Sequence, residues 1–467
     1  MFWHPPRGHA GMMRPPAPVP PPPACVGLKE IVAFGAGDAG FNIIWGLMLS
    51  YLAYFYTDIC FFPARMVGFM LLAARAVSLV TDPAVGLWID RRPAGHQALP
   101  LLRGGLVPFM VLVVLTFVPL PRGWPIAVRG LCAGVAYMGL CVSYGVVNTA
   151  YGVMTSLISS DPAIRLRLAT SRMVGATLGG LAVSMATLPA VDFLGHGNRQ
   201  AGFALFMTGV ACVVGGLVWL PARLCHERVA TDGGDVAPRQ LVVSLLANRA
   251  WRRLTGAMLL TMLGSTFLFG ALVYDVRYVV HAGDHMAGWL LGMMSLMVLA
   301  GCGLSLPLCA WWGPGMVMRR GTVAAGGILL LAYGLPARLD VTGVGLALFG
   351  LCVGVCNPAC FTLLAQAMRH EGSADGLHAV GLGWALNSTA SKMAFDIGGS
   401  LLAGVLAAAG LVSGAGQQTV QAQAGIHAGF LLVPAVLYLL AGAVVLRGLA
   451  AQNPVAAVNS TASPPPT

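Results

Sequence analysis

The chain has 467 residues, of which 57% are hydrophobic and only 9% charged, with a mean hydropathy of +0.79. Such a balance excludes a soluble globular protein and leaves an integral membrane protein. The formal net charge of +11 is spread over short polar segments between apolar runs, which points to membrane topology and lipid headgroups rather than to nucleic acid.

In chain order, residues 1–29 come first, with PPRGHAGMMRPPAPVPPPPA at 5–24. Prolines without a continuous apolar core predict a disordered cytoplasmic tail and not a signal peptide. Twelve apolar runs follow, at roughly 31–55, 66–88, 104–121, 127–157, 170–192, 201–221, 254–280, 286–311, 321–337, 342–367, 378–411 and 427–447. Each is long enough to cross a hydrocarbon core of ~30 Å. Six precede the longest internal polar stretch and six follow it. This predicts an N-terminal six-helix bundle over 30–221, a central cytoplasmic loop over 222–251, a C-terminal six-helix bundle over 252–450 and a disordered tail over 451–467. Most of the 27 lysines and arginines fall on one side of the alternating spans, so both termini are expected in the cytoplasm, with the protein in the inner membrane. A short internal similarity supports two parallel halves. VVNTAYGVMTSL (146–157) with a later Gly179-Gly180 parallels VCNPACFTLLAQ (355–366) with a later Gly398-Gly399.

Ionisable groups inside spans cost about 2.5–3.5 kcal/mol on insertion scales and mark function or a buried partner. Here they are Asp38, Arg75, Asp82, Lys392 and Asp396, with Asp58 and Asp275 nearer span ends. Arg75, Ser78 and Thr81 or Asp82 recur at three- and four-residue steps and form one polar stripe on the second span. Helical spacing suggests Arg75 paired with Asp82 and Lys392 with Asp396, with Asp38 of the first span as an alternative partner of Arg75 and Asp82. Asn42, Tyr144, Asn148, Asn357, Asn387 and Ser388 stand at similar depth, which fits a cavity for a polyhydroxylated solute; interhelical hydrogen bonding is the plainer alternative. The eleven cysteines and ten histidines show no ligand spacing, so no metal and no cofactor are expected. With no nucleophile and base pairing, an enzyme is not expected either.

Four segments then resemble the glycoside-pentoside-hexuronide:cation symporters, the melibiose permease-like family of the major facilitator superfamily. They are FGAGDAGFNIIWGLMLSYLAYFYTD (34–58), LLAARAVSLVTDPAVGLWIDR (71–91), VVNTAYGVMTSLISSDPAIRLRLATSRMVGA (146–176) and STASKMAFDIGGSLLAGVLAAAGL (388–411). The resemblance implies a cation site between the second and fourth helices, at Ser78, Thr81, Asp82 and Asn148. It implies substrate contacts from Asn42, Tyr144, Asn148 and Arg172, with Asp38, Arg75, Lys392 and Asp396 as supporting charges. The chain departs from the family where relatives keep acidic residues at Asn42, Ser78 and Asn148, and a common proline is Ala150. The segment MRHEGSADGLHAV (368–380) retains only Glu371 and Asp375, so Arg91, Arg92, Arg165 and Arg167 are candidate gate partners for these, Asp90 and Asp161.

The expected protein is therefore all-α, with twelve transmembrane helices in two pseudo-symmetric six-helix bundles. It would be a monomer moving a sugar, glycoside or similar small polar solute by alternating access, in symport with H+ or Na+. Sodium needs several oxygen ligands, whereas a proton needs one titratable group, so H+ is preferred. Two alternatives stay open: a proton-driven exporter of a nonsugar metabolite, drug or lipid-like solute, and a nontransporting membrane assembly or sensor protein.

Overall fold

A computed structural model describes residues 26–92, 98–121, 123–229, 238–282, 285–368, 380–411 and 417–450. Most of the two predicted tails, together with Glu371 and Asp375, lies outside the described residues. The described chain is helical, in order α1 (Leu28–Tyr54), α2 (Ala64–Asp90), α3 (Leu99–Thr116), α4 (Ile126–Leu157), α5 (Pro162–Gly195), α6 (Arg199–Leu224) and α7 (Pro238–Ala247). The second half continues as α8 (Arg249–Tyr278), α9 (His285–Trp312), α10 (Pro314–Gly334), α11 (Leu339–Ala367), α12 (Val380–Ala408), α13 (Val420–His427) and α14 (Val433–Ala450). Short π-helical turns at Phe55–Ile59 and Ala428–Leu432 extend α1 and join α13 to α14.

Among the described residues, eleven of these helical segments are long and apolar enough to cross a membrane; α5, bent by 46° before Pro189, brings the number to twelve. Helix starts follow local chemistry. The Asp161 carboxylate accepts from the Ala163 amide with Pro162 at the first position, Asn198 accepts from Gln200 and Ala201, and Asn248 accepts from Trp251. Two predicted boundaries move for the same kind of reason. The Asp161-Pro162 start carries α5 through the arginines well before the apolar run at 170, while Pro119 and Pro121 lie beyond the end of α3 at Thr116.

The helices form two six-helix bundles in the major facilitator arrangement. In the first, α1 packs on α5 and α6, α3 on α4 and α6, and α2 on α4; in the second, α9 and α10 pack on α11, and α8 and α10 on α14. The bundles meet where α2 packs on α12 and α5 on α9 and α11. With twelve alternating crossings, α1 begins on the same face on which α14 ends, and this is the terminal face.

At the terminal face the bundles are in close contact. Gly86 and Gly381 approach so nearly that a Cβ on Gly381 would lie 2.4 Å from the Gly86 carbonyl oxygen. The Asp90 carboxylate accepts from the Gly381 and Leu382 amides at 2.6 and 2.8 Å, across the bundle boundary at the start of α12. One apolar core runs from Phe34 through Met154 and Leu157 into Leu364, Met368 and Trp384, so it too crosses from one bundle to the other. Among the described residues, one polar contact across this face is thus made by Asp90 with backbone amides. Asp161 instead caps α5, and Arg165 donates to the Ser159 carbonyl oxygen within its own turn at 2.7 Å.

Candidate substrate cavity and ion-pair site

Between the bundles lies a cavity of about 480 Å³, within the usual ~300–1,000 Å³ range of small-molecule sites. The polar residues singled out in the sequence, Asn42, Tyr144, Asn148, Asn357, Asn387 and Ser388, all line it. Its charged walls are Asp38, Arg172 and Lys392.

Asp38, expected as a supporting charge, lines this cavity. Arg172 donates from Nε and Nη2 to Asp38 Oδ1 at 3.1 and 3.0 Å, and from Nη1 to Thr155 Oγ1 at 3.2 Å. The Asn42 amide donates to Asp38 Oδ2 at 3.3 Å and to the Asp38 carbonyl oxygen at 2.9 Å. Three helices, α1, α4 and α5, therefore hold one buried ion pair. Four aromatic rings surround the guanidinium at 4.9–5.9 Å, two from the first bundle (Phe34, Tyr151) and two from the second (Phe361, Trp384). The last two stack on each other, and the Trp384 indole donates to Ser156 Oγ at 3.4 Å. Arg172 thus stands where the bundles meet, and its charge is stabilised by ring faces from both.

A second, smaller pocket of about 160 Å³ lies between α2 and α12, lined by Arg75, Ser78, Asp82, Lys392 and Asp396 among others. Here the pairings differ from those suggested by helical spacing. Lys392 Nζ donates to Asp82 Oδ2 at 2.6 Å, and Arg75 pairs with Asp396 at 3.3 Å. Both pairs cross from one bundle to the other, where α2 packs on α12. Asp82 is 1% exposed, and its Oδ1 has no hydrogen-bond partner among the described atoms, nor has Thr81 Oγ1. Lys392 lines both this pocket and the central cavity, whereas Asp82 lines only the former.

Of the residues assigned to the cation site by resemblance, Ser78 and Asp82 share the small pocket, Thr81 is half-buried beside them in sequence, and Asn148 faces the central cavity instead. Among the described residues no cluster of three His, Cys, Asp or Glu could hold a metal ion. Sequence reading missed Trp45, Phe361, Trp384, Thr261 and Ser265, which also line the cavity. Aromatic and hydroxyl residues do not stand out in apolar spans as charges and amides do. The tryptophans in FNIIWGL and GLGWALN were the available cues.

Comparison with known proteins accords with this geometry. The family model described as MFS/sugar transport protein matches residues 33–448. YagG of Escherichia coli (strain K12), whose name makes it a candidate glycoside/cation symporter, is 30% identical over 88% of this chain and 89% of its own. The inner membrane symporter YicJ of the same strain is 26% identical over 90% of this chain and 91% of its own. A crystal structure of the E. coli fucose:proton symporter FucP superposes with a TM-score of 0.68 at 14% identity, covering 90% of this chain and 98% of that one. The chain belongs to the MFS/sugar transport protein family, a family of transporters rather than enzymes, as its resemblance to the glycoside-pentoside-hexuronide:cation symporters implied.

Proposed function

We propose that the protein is a proton-coupled symporter of a sugar or glycoside, working by alternating access of the central cavity to the two membrane faces. The names of its relatives support the solute class. The single observation that carries the coupling is the Asp82–Lys392 contact at 2.6 Å. A sodium ion at Asp82 would need several oxygens with adequate negative charge. The ammonium of Lys392 already occupies one carboxylate oxygen, and Ser78 and Thr81 bring only uncharged hydroxyls. A proton needs just the free lone pairs of Oδ1.

The proposed cycle follows from electrostatics. With the pair intact, two opposite charges neutralise each other inside the membrane. Protonation of Asp82 dissolves the ion pair and leaves Lys392 free to turn toward the solute cavity that it also lines. Solute and proton then favour each other's binding, since coupling between two sites is reciprocal. Asp38 and Arg172, with Asn42, Tyr144 and Asn148, would orient hydroxyl groups through charge-assisted hydrogen bonds.

The terminal face would be cytoplasmic in the inner membrane. Arg91, Arg92, Arg223, Arg228, Arg249, Arg252 and Arg253 lie at helix ends or in loops on that side, which accords with the positive-inside rule. We further take the functional unit to be a monomer, because the cavity is complete within one chain.

Uptake of a labelled sugar and glycoside panel by proteoliposomes, under separately imposed proton and sodium gradients, tests the reading. Accumulation driven by an inward proton gradient is expected. Stimulation by sodium without pH dependence would replace the proton by sodium, and solute exclusion under a proton gradient would favour export.

A further inference from the structure

We infer that Asp396 is a proton relay, taking up the proton on the side of the membrane opposite the terminal face and handing it to Asp82 through the small α2–α12 pocket. Proton and solute then reach the carrier by separate routes. This rests on the proton-coupled reading above and assigns a residue and a path to that coupling.

Asp82 is the proton site of that reading, yet it is 1% exposed and does not line the solute cavity. A proton needs another way to its unpartnered Oδ1. The smaller pocket supplies one. Asp82 and Asp396 are the two carboxylates lining it, and its volume of about 160 Å³ has room for several water molecules. Asp396 is the accessible end, with 46% of its side chain exposed.

Position along the helices sets the direction. α2 runs toward the terminal face, so Arg75, seven residues before Asp82, lies about 10 Å farther from that face. α12 runs away from it, and Asp396 stands about 6 Å beyond Lys392 in the same sense. The contact of Asp90 with the Gly381 and Leu382 amides lies on the other side of Asp82. The Arg75–Asp396 pair, at 3.3 Å, therefore stands between Asp82 and the outer side.

The groups that face Asp396 leave the relay to this carboxylate. From α2 comes Arg75, whose guanidinium also lies over the Trp45 ring of α1. On α12 itself Lys392 is one turn away, held by Asp82 at 2.6 Å. From α4 come Tyr137 and Cys141, and Tyr144 with its ring 5.5 Å from Lys392 Nζ. The part of α8 against Gly398 presents Leu263 and Thr266, neither of them charged. His427, on the segment after α12, is engaged with Asp275 at 2.8 Å.

A proton arriving from the outer side binds a carboxylate oxygen of Asp396, and the attraction to Arg75 is lost for that moment. Through water in the pocket the proton passes to Asp82 Oδ1. Asp396 regains its negative charge and pairs with Arg75 again. One proton has entered, one carboxylate ends protonated, and Lys392 is released as in the cycle above. A solute already in the central cavity does not obstruct this path.

Uptake by proteoliposomes of the full chain in sodium-free medium tests the relay. A potassium-diffusion potential, negative inside, drives proton-coupled entry at equal pH on both sides, so a permeant weak acid does not dissipate the driving force. The probe is a neutral glycoside, the fastest to enter among labelled methyl galactoside, methyl glucoside and methyl xyloside. Asp396→Asn should slow this uptake about tenfold or more, because a positioned proton-transfer group contributes on the order of a hundredfold to its own step while conformational steps share the limit on turnover. Added formate, a small diffusible acid, should restore much of the lost rate, and Asp396→Glu should retain most of it. Arg75→Gln breaks the same ion pair but keeps the carboxylate, so it should slow uptake less and not respond to formate. Counterflow, for which no proton has to be delivered, should keep at least half its rate in Asp396→Asn, which shows that the variant folds and cycles. Wild-type uptake in Asp396→Asn, or a loss that Arg75→Gln matches and formate does not relieve, overturns the relay and leaves proton coupling in place. Absence of potential-driven uptake by the wild type in sodium-free medium removes the coupling itself, and the relay with it.

Discussion

Asp82 has two carboxylate oxygens in unlike situations: Oδ2 holds the Lys392 ammonium, while Oδ1 is buried without a hydrogen-bond partner among the described atoms. An isosteric amide preserves the shape of this side chain but cannot carry a proton in exchange. Asp82→Asn is therefore expected to abolish proton-driven accumulation while solute exchange between the two sides continues at a reduced rate, as measured by counterflow in proteoliposomes. The Asp38–Arg172 pair makes a different demand. Removing one partner of a buried pair leaves the other uncompensated, at a cost of about 3–5 kcal/mol. Arg172→Gln should accordingly lower thermal stability in detergent as well as solute affinity. Arg172→Lys should recover stability better than affinity, because an ammonium keeps the charge but not the fork that reaches both Asp38 and Thr155. Outside the spans, Cys225 sits beneath a clasp in which Arg228 bonds both oxygens of Glu30 at 3.0 and 2.9 Å. Burial, reinforced by the Glu30 charge, pushes its thiol up to about 12. Maleimide at neutral pH should leave Cys225 unmodified until the protein is unfolded.

At the scale of elements, the α2–α12 seam carries three polar ties in register: Asp90 on the amides that begin α12, Asp82 on Lys392, and Arg75 on Asp396. Glycine makes the first of these possible, because Gly86 and Gly381 let two backbones touch. Gly381→Val would place a side chain 2.4 Å from the Gly86 carbonyl oxygen and force the helix ends apart. Spin labels at the terminal-face ends of α2 and α12 should then report a longer mean distance than in the wild type; an unchanged distance would mean that the contact does not hold this face shut. The same seam shows what the sequence could and could not reveal. Apolar run length placed every spanning helix, and the contrast of amides and charges with their apolar surroundings identified the cavity lining from Asn42 to Ser388. Helical spacing, however, only relates residues on one helix, so it offered Lys392 with Asp396 and Arg75 with Asp82. The actual partners lie on opposite bundles, more than 300 residues apart in sequence. Trp384 and Phe361 escaped notice for the opposite reason, since an aromatic ring in an apolar run gives no contrast until the fold brings it against Arg172.

For the whole molecule, the proposed cycle joins the contacts between the bundles at the terminal face and the charges lining the cavity in one device. Both bundles contribute to each: Asp90 and Gly381 at the face, Asp82 and Lys392 in the middle of the membrane, Arg172 with Trp384 and Phe361 beside the solute. In the proposed cycle, protonating Asp82 would weaken a tie between the bundles at the same moment that it frees a cation toward the solute, linking occupancy to the rocking that alternating access requires. Proton flux accompanying solute entry tests this claim most directly. Proteoliposomes in a weakly buffered medium, without any imposed gradient, are given a transported sugar while external pH is recorded. The account predicts alkalinisation that begins with solute entry, about one proton per solute, and that disappears in Asp82→Asn. Solute entry into wild-type vesicles with no pH change, or alkalinisation that persists in Asp82→Asn, would contradict it.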